Sequence, residues 1–401
     1  MNVLFMCLGT FYDLNESSVH IDILKRFAKD QDVWLVCKNE ERPTELKDEN
    51  GIHVLRVRTG KLKGTGSIRK GMNTLLVEFQ FKNAIKKKLT KVKFDLVLYT
   101  TPPITFVSAV EYIKRRDNAD TYLMLKDIFP QNAVDIGMMS TSGIKGILYT
   151  YFRNKEKRLY KISNHIGCMS PANVRYILKH NPELNPKIVE ICPNTTVIED
   201  TGVNENTRLE IRGKYNIPLN KKVFIYGGNL GKPQGISFLV ECLKKCKEKD
   251  CFFLIVGQGT EYKRIEQYIN EEKPCNCKLM KVLPSNEFQT MVAACDVGMI
   301  FLDHRFTIPN FPSRLLSYMK SKVPVLAVTD PNTDIGEIIV EGRFGWWCES
   351  NDVEEFSRKI EYIISLDQSQ INLMKKNEFK YLKEKYGVDV AYKTIMKVNQ
   401  L

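Results

Sequence analysis

Residues 309–314, with the sequence PNFPSR, place a proline, a hydroxyl and a guanidinium where a helix is predicted to begin. Proline is tolerated in the first turn of a helix and serine can cap its free amides, so Pro312 and Ser313 are explained by capping alone. Arg314 is not, because its charge opposes the positive end of the helix dipole. An anion bound at the helix start would account for Pro312, Ser313 and Arg314 together. The segment therefore predicts an anion site.

Two glycine-rich loops precede this segment and have compatible chemistry. Residues 227–235 read GGNLGKPQG and residues 257–262 read GQGTEY, and each follows an apolar run typical of a buried strand. Glycine lets the backbone approach a ligand closely, but tight turns also require it, so each loop alone is as readily structural as functional. Three such loops at successive strand ends of one domain favour a phosphate-binding site.

Short apolar runs alternate with helical patterns along the whole chain, which predicts parallel sheets covered by helices on both faces. The pattern weakens between residues 195 and 222, in a polar, Asn-rich stretch. The sequence thus predicts an α/β protein with two doubly wound, Rossmann-like domains, residues 1–200 and 201–379. The last residues, 380–401, are predicted to be helical with no strand after them.

Composition restricts the class of protein further. The chain has 401 residues and a net charge of +13, and residues 1–200 hold 31 Lys and Arg against 22 Asp and Glu. This excess predicts an anionic partner in the first half, such as a phosphorylated substrate or a membrane surface. Nucleic acid is disfavoured because no recognition motif is visible. The first residues read as a strand and not as a signal peptide, and eleven scattered cysteines favour reduced thiols in a cytosol.

The order YGGNLGKPQG, FLIVGQGTE, ACDVGMIFLD, PNFPSRLLSYM and VPVLAVTD resembles the donor-binding domain of retaining GT-B glycosyltransferases of family 4. The segment LKDIFPQNAVDIGMM, residues 125–139, is similar to the enzymes of bacterial capsule and O-antigen assembly within that family. The resemblance implies a GT-B fold, with two Rossmann-like domains facing a cleft and the C-terminal helix crossing back to the first domain. It also implies that the anion is the diphosphate of a nucleotide-sugar, with uracil as the expected base.

The resemblance also assigns residues to the donor site. The family's Arg and Lys in the first loop fall at Asn229 and Gln234, and its paired glutamates fall at Pro309 and Ser317, so these four charged groups are missing. Lys232 and Arg314 are therefore expected to carry the phosphate charge between them, and Ser317 with backbone groups to hold the ribose. The complete set expected to bind the donor is Gly228, Asn229, Gln234, Gly257, Gly259, Leu283, Pro312, Ser313, Leu315 and Ser317. For Lys232, a solvated surface lysine is an equally good explanation.

The first domain is expected to bind the acceptor, a saccharide or lipid-diphosphate-linked saccharide. Asp127 sits at a predicted strand end and is the candidate to orient the acceptor hydroxyl, although an Asp that caps a loop would look the same. The other acceptor candidates are Gly9, Thr10, Asp13, Glu16 and Thr101. His20 is interpreted as structural. No cofactor or metal is expected, because no D-x-D follows a strand and the cysteine spacings do not suit zinc.

Two segments predict docking on an anionic membrane at the inner face of the cell. Residues 144–162 mix aromatic residues, leucines and six cations, and residues 61–73 add further charge. A core-packed helix with a solvated basic face is the alternative. Two further functions remain open: a nucleotide-sugar epimerase of the same fold, and a non-catalytic, glycosyltransferase-like binding or scaffold subunit. The absence of the family's Arg, Lys and paired glutamates favours the second of these.

Overall fold

The computed structural model describes residues 1–61 and 67–397 and consists of two compact units. Unit 1 comprises Met1–Val197 and Val388–Leu401, and unit 2 comprises Ile198–Gly387. The sequence predicted the boundaries between the two domains at residues 200 and 380. The second boundary lies later in the structure, at Val388, because the helix that contains residue 380 ends within unit 2 and a separate helix returns to unit 1.

Within the described residues, the sheet of unit 1 has eight strands. They are β1 (Asn2–Met6), β2 (Asp32–Asn39), β3 (Glu45–Glu49), β4 (Ile52–Arg58), β5 (Leu96–Thr100), β6 (Asp120–Leu125), β7 (His165–Cys168) and β8 (Val189–Ile191). Their order is β3-β4-β2-β1-β5-β6-β7-β8. The central strands are parallel and buried on both faces, as β5 illustrates with all its residues buried.

Strand β3 corrects the prediction of a purely parallel sheet. It pairs antiparallel with β4 at the sheet edge, with Leu46 opposite Leu55. Its sequence, ELKDE, is mostly exposed. An edge strand with charged side chains discourages pairing with other chains, and such a strand carries no buried apolar pattern that sequence reasoning could detect.

The helices of unit 1 cover this sheet. They are α1 (Val19–Phe27), α2 (Ser67–Lys88), α3 (Val107–Asp117), α4 (Gln131–Asp135), α5 (Gly143–Ile162), α6 (Pro171–His180) and α15 (Val388–Lys397). The last of these packs on α1: Ala391 and Ile395 are buried in the same core as Phe27, and the Arg26 guanidinium lies 3.7 Å from the centre of the Tyr392 ring. The predicted return of the final helix to the first domain is thus present, although it begins at Val388 and not at residue 380.

In unit 2, the described residues form a six-stranded sheet in the order β11-β10-β9-β12-β13-β14, with every pair parallel. The strands are β9 (Lys222–Asn229), β10 (Cys251–Gln258), β11 (Cys277–Met280), β12 (Val297–Phe301), β13 (Val325–Thr329) and β14 (Gly345–Glu349). The helices are α7 (Glu205–Lys214), α8 (Ile236–Lys245), α9 (Tyr262–Glu272), α10 (Ser285–Ala293), α11 (Arg314–Lys320), α12 (Ile335–Glu341), α13 (Val353–Ser365) and α14 (Gln368–Lys385). This sheet brings the three predicted loops to the carboxyl ends of neighbouring strands. None of the helices formed by the described residues is both long enough and apolar enough to span a bilayer.

Candidate functional site

The two glycine-rich loops lie side by side at the carboxyl ends of β9 and β10. The strands pair in register, with Gly228 beside Gly257 and Asn229 beside Gln258. Beyond the strands, the Leu230 amide donates to the Gln258 carbonyl at 2.8 Å, and the Glu261 amide donates to the Leu230 carbonyl at 2.9 Å. The loops predicted to approach a ligand therefore form one continuous backbone surface.

Two glycines are required by the way these loops meet. Gly228 has a φ of +116°, in the region that side chains disfavour. At Gly257, a β-carbon would lie 2.0 Å from the Gly228 carbonyl oxygen, and such a contact is sterically forbidden. Any larger residue at either position would separate the loops or fill the space beside Arg314.

Arg314 reaches this surface from the third loop. Its guanidinium carbon lies 4.5 Å from the centre of the Tyr226 ring on β9, and a β-carbon at Gly228 would lie 3.4 Å from its Nη2. The Nη1 atom is buried and has no hydrogen-bond partner among the described residues. Buried donors are normally paired because an unpaired one loses its hydration, so this nitrogen is positioned to receive an acceptor from a ligand.

Arg314 keeps its charge although the residue is half-buried and its Nη1 atom is fully buried. Burial alone would lower the pKa of Arg314, but the Tyr226 and Tyr318 hydroxyls raise it. Burial in turn raises the pKa of Tyr226, whose hydroxyl donates to the Asn229 carbonyl at 2.8 Å. Tyr226 thus supports both the guanidinium and the first loop. Sequence reasoning did not select this tyrosine, because an aromatic residue inside a buried strand is normally core.

The start of α11 differs in one respect from the capping explanation. The helix begins at Arg314, but Ser313 has a helical backbone conformation, is exposed, and makes no side-chain capping bond. The side-chain cap suggested for Ser313 is therefore wrong. Pro312 is half-buried and Leu315 is fully buried, so Leu315 contributes to the site by packing.

Asn229 and Gln234 occupy the positions at which the resemblance implies cations, and the structure pairs them with each other. Asn229 Nδ2 donates to Gln234 Oε1 at 2.7 Å, and the same oxygen accepts from the Gly231 amide at 3.3 Å. Between them, Lys232 is exposed, and within residues 1–61 and 67–397 its ammonium has no ion-pair partner. The neutral pair braces the loop that presents Lys232.

Ser317 lies one turn into α11 and is engaged within unit 2. Its hydroxyl donates to Gln289 Oε1 on α10 at 2.8 Å, while Gln289 Nε2 donates to the Ser317 carbonyl at 3.1 Å. Leu283, half-buried, precedes α10, and Phe288 of the same helix packs against Gly227. The predicted roles of Ser317 with the ribose and of Leu283 with the nucleoside stay predictions.

In unit 1, Asp127 and Thr101 are joined at the carboxyl ends of β5 and β6. The Thr101 hydroxyl donates to the Asp127 carbonyl at 3.0 Å and accepts from the Asp127 amide at 3.1 Å. Asp127 Oδ1 accepts from Asn132 Nδ2 at 2.7 Å. Burial raises the pKa of Asp127 to about 6, although hydrogen bonds from the Ile128 amide and Asn132 oppose that shift. A carboxyl with this pKa can exchange a proton near neutral pH.

The other acceptor candidates lie in the loop after β1. Gly9 and Thr10 are half-buried, and the Gly9 carbonyl accepts from the Lys38 amide at 3.2 Å. Asp13 is exposed and accepts from the Asn15 amide at 2.7 Å, which is the bonding of a turn residue. Glu16 is also exposed. Thr101 is the one of the acceptor candidates that the structure ties directly to Asp127.

Lys126 is a half-buried cation to which sequence reasoning assigned no role. Its ammonium donates to the carbonyls of Pro193 at 3.2 Å and Cys192 at 3.4 Å, and burial lowers the pKa of Lys126. Nearby, burial and the Lys126 charge lower the pKa of His20 to about 4, so this imidazole is neutral. The sequence signal that could have identified Lys126 was its position directly before Asp127, the candidate carboxylate. In the described residues, no group of three or more His, Cys, Asp or Glu could hold a metal ion.

Residues 207–380 match the model of the family "Glycosyl transferases group 1". Most of unit 2 is therefore similar to the domain that this family shares. The matched residues contain the paired glycine loops, Lys232 and Arg314, so the candidate donor site lies within the family's own segment. Because the family model covers only this part of the chain, the remainder rests on whole-chain comparisons.

Whole-chain comparisons agree with this similarity. The probable glycosyltransferase WbjE of Pseudomonas aeruginosa is 24% identical over 310 residues, which is 76% of this chain and 74% of that protein. Sucrose-phosphate synthase from Thermosynechococcus elongatus has a TM-score of 0.78 at 13% identity, covering 100% of this chain and 98% of that one. HepE of Anabaena, solved with UDP and glucose, has a TM-score of 0.73 at 14% identity, covering 100% of both chains. The chain has the α/β GT-B fold, with two Rossmann-like, parallel-sheet domains.

Proposed function

We propose that this protein transfers a sugar from a UDP-sugar to a saccharide or lipid-linked saccharide, with retention of anomeric configuration and without a divalent metal. The observation that carries the proposal is the buried, unpaired Nη1 of Arg314 beside Gly228. A diphosphate oxygen would satisfy this donor and compensate the buried charge. HepE, which shares the fold, was solved with UDP, and this supports uracil as the base.

Transfer requires that negative charge on the departing diphosphate be stabilised as the bond to the anomeric carbon breaks. Donors that are fixed before the reaction stabilise this charge most effectively. Arg314 is held in this way by Tyr226, and Lys232 supplies a second, exposed cation from the adjacent loop. The two cations replace the charge that a metal ion would otherwise supply.

Asp127 is the residue of unit 1 proposed to orient the acceptor hydroxyl. Its carboxyl is held by Asn132, and Thr101 fixes the backbone on which it stands. A group positioned in this way favours reaction by orientation as well as by proton exchange. The proposed acceptor belongs to surface polysaccharide assembly, of the capsule or O-antigen type, at the cytoplasmic face of the membrane.

The experiment that tests this function begins with a panel of nucleotide-sugars and their effect on thermal unfolding. A ligand at one hundred times its dissociation constant adds about 2.7 kcal/mol to the free energy of unfolding. The stabilising donor is then incubated with acceptor candidates, and the anomeric configuration of the product is read by NMR, with chelator and with added magnesium. An inverted product, or activity that is lost in chelator and restored by metal, would contradict the proposal.

Two other functions, a scaffold subunit and an epimerase, are tested by the same experiment. The reason is that the neutral pair Asn229–Gln234 occupies positions at which the resemblance implies cations. A scaffold subunit would show no stabilisation by any nucleotide-sugar. An epimerase would be stabilised by its substrate and would convert it to an epimer without any acceptor. Transfer to an acceptor separates the proposed function from both.

A further inference from the structure

A cavity of about 230 Å³ lies between α4, α5 and α6 of unit 1. Its wall includes Ile128, which directly follows Asp127, and Gln131, the first residue of α4. Residues 125–139, which carry the resemblance to capsule and O-antigen enzymes, therefore supply part of a cavity as well as Asp127. Pockets that hold drug-sized ligands occupy roughly 300–1,000 Å³, so this smaller cavity suits a ligand of a single ring.

The charged side chains of the cavity neutralise each other. Arg153 Nη1 on α5 donates to Glu156 Oε2 at 2.5 Å, and Arg153 Nη2 donates to Asn181 Oδ1 at 2.6 Å. The other carboxylate oxygen of Glu156 accepts from the Tyr160 hydroxyl at 2.6 Å. Among the described residues that line the cavity, Glu156 is the one acidic residue and Arg153 is the one Lys or Arg. Because this pair is balanced, a charged ligand would lose its hydration without compensation, and a neutral ligand is favoured.

The remaining wall combines aromatic rings with polar groups that a ligand can engage. The Tyr176 and His180 rings of α6 stack with their centres 3.9 Å apart. The Tyr149 hydroxyl on α5 donates to Gln131 Oε1 at 3.3 Å, a long bond that a ligand hydroxyl can replace. Aromatic rings pack against the C–H faces of a sugar ring, while amide, hydroxyl and guanidinium groups bond to its hydroxyls. The lining therefore suits a sugar ring.

The cavity adjoins the carboxyl group proposed to orient the acceptor. Asn132, the neighbour of Gln131 on α4, donates from Nδ2 to Asp127 Oδ1 at 2.7 Å. Burial raises the pKa of Asp127, and the charge of Glu156 raises that pKa further, so the Glu156 carboxylate lies near Asp127. A sugar ring held in the cavity would therefore lie next to the position proposed for the reacting hydroxyl.

We propose that the cavity between α4, α5 and α6 binds one neutral sugar ring. Two sources have this chemistry: the sugar residue of the acceptor that adjoins the residue receiving the transferred sugar, and a free monosaccharide. The first source rests on the proposed transfer, whereas the second does not. A phosphate or another anion is disfavoured because it would face the buried Glu156 carboxylate.

The test uses the full chain and a panel of free neutral sugars, measured by saturation-transfer NMR: glucose, galactose, mannose, rhamnose, fucose and N-acetylglucosamine. The variant Gln131→Ala/Tyr149→Phe removes an amide and a hydroxyl from the wall, where both side chains are half-buried. Its matched control, Tyr151→Phe/Asn154→Ala, removes a hydroxyl and an amide from exposed positions of α5. Thermal unfolding and UDP binding establish that each variant is folded.

At least one sugar of the panel should bind the wild-type protein. The variant Gln131→Ala/Tyr149→Phe should bind that sugar roughly tenfold more weakly, as expected for the loss of two hydrogen bonds. The control variant should bind it as the wild type does.

Kinetics with a disaccharide acceptor distinguish the two sources of the sugar. If the cavity holds a residue of the acceptor, the free sugar should compete with the acceptor. Gln131→Ala/Tyr149→Phe should then raise the KM for the acceptor roughly tenfold and leave kcat nearly unchanged, because binding is lost equally in the ground state and the transition state. If the cavity holds a free monosaccharide, the KM for the acceptor should equal that of the wild type although sugar binding is lost.

Two results would overturn the inference. Folded wild-type protein that binds none of these sugars would show that the cavity holds only water. Equal sugar affinity in the wild type and in Gln131→Ala/Tyr149→Phe would place the bound sugar elsewhere. Because sugar binding is measured without donor or acceptor, either result leaves the glycosyl-transfer proposal to its own test.

Discussion

Asn229 and Gln234 form a 2.7 Å hydrogen bond across the loop that presents Lys232. Two neutral side chains thus brace a loop in which the resemblance implies cations. The candidate donor site thus has fewer charged side chains than the resemblance implies, and Arg314 is its cation that packs on Tyr226. The bond also predicts how the loop responds to substitution.

Gln234→Ala should weaken UDP binding without a large loss of stability. It removes the acceptor shared by Asn229 and the Gly231 amide, and a typical hydrogen bond contributes about 0.5–1.5 kcal/mol. Isothermal titration with UDP and thermal unfolding measure the two effects separately. A loss of stability without any loss of UDP affinity would show that the pair is purely structural.

Gly228→Ala should weaken UDP binding and destabilise unit 2. A side chain is strained at a φ of +116°, and the added carbon would lie 3.4 Å from Arg314 Nη2. The matched control is Gly213→Ala within α7, where an added carbon meets nothing within 4 Å. The control should raise the free energy of unfolding by about 0.5–1 kcal/mol. Equal UDP affinity and equal free energy of unfolding in the two variants would argue against strain at Gly228.

Turnover should depend on the ionisation of Asp127. Burial raises the pKa of this carboxyl to about 6, so the ionised form that orients an acceptor is lost as the pH falls below 6. Asp127→Asn should lower turnover and abolish that limb of the pH profile, while UDP affinity stays nearly unchanged. An unaltered pH profile in Asp127→Asn would exclude this carboxyl as the titrating group.

Glu378 provides a stability prediction away from the site. It is fully buried in α14, and in the part of the chain that the structure describes neither of its carboxylate oxygens has a hydrogen-bond partner. Burial raises the pKa of Glu378 well above its usual value, so the folded state binds a proton that the unfolded state releases. The free energy of unfolding should therefore fall as the pH rises above the unfolded pKa of Glu378.

Replacing Glu378 with Met should remove this pH dependence and stabilise the protein at neutral pH by about 1–3 kcal/mol, the cost of an unsatisfied buried polar group. Glu384→Gln on the same helix is the control, because that side chain is 55% exposed. Urea unfolding at several pH values distinguishes the two variants. Destabilisation by Glu378→Met would indicate a partner for this carboxylate.

Sequence patterns predicted the features that depend on burial and on local chemistry. Fully buried strands such as β5 and β13 leave short apolar runs, and the three loops at strand ends are recognisable from glycine, proline and charge. The sequence did not show which polar groups meet in space. The bond between Asn229 and Gln234, the support of Arg314 by Tyr226, and the bonds of the Lys126 ammonium to backbone carbonyls all depend on strand register and tertiary packing.

Calorimetric titration of UDP tests the central claim most directly, with Arg314→Ala, Arg314→Met and Lys232→Ala compared with wild type. Arg358→Ala, an exposed arginine on α13, is the matched control. Both Arg314 variants should lose about 1.5–3 kcal/mol of binding free energy, the contribution of a charged hydrogen bond, and Arg358→Ala should lose none. Lys232→Ala should lose less, since its ammonium is exposed. Unchanged UDP affinity in the folded Arg314 and Lys232 variants would contradict the placement of the nucleotide diphosphate at this site.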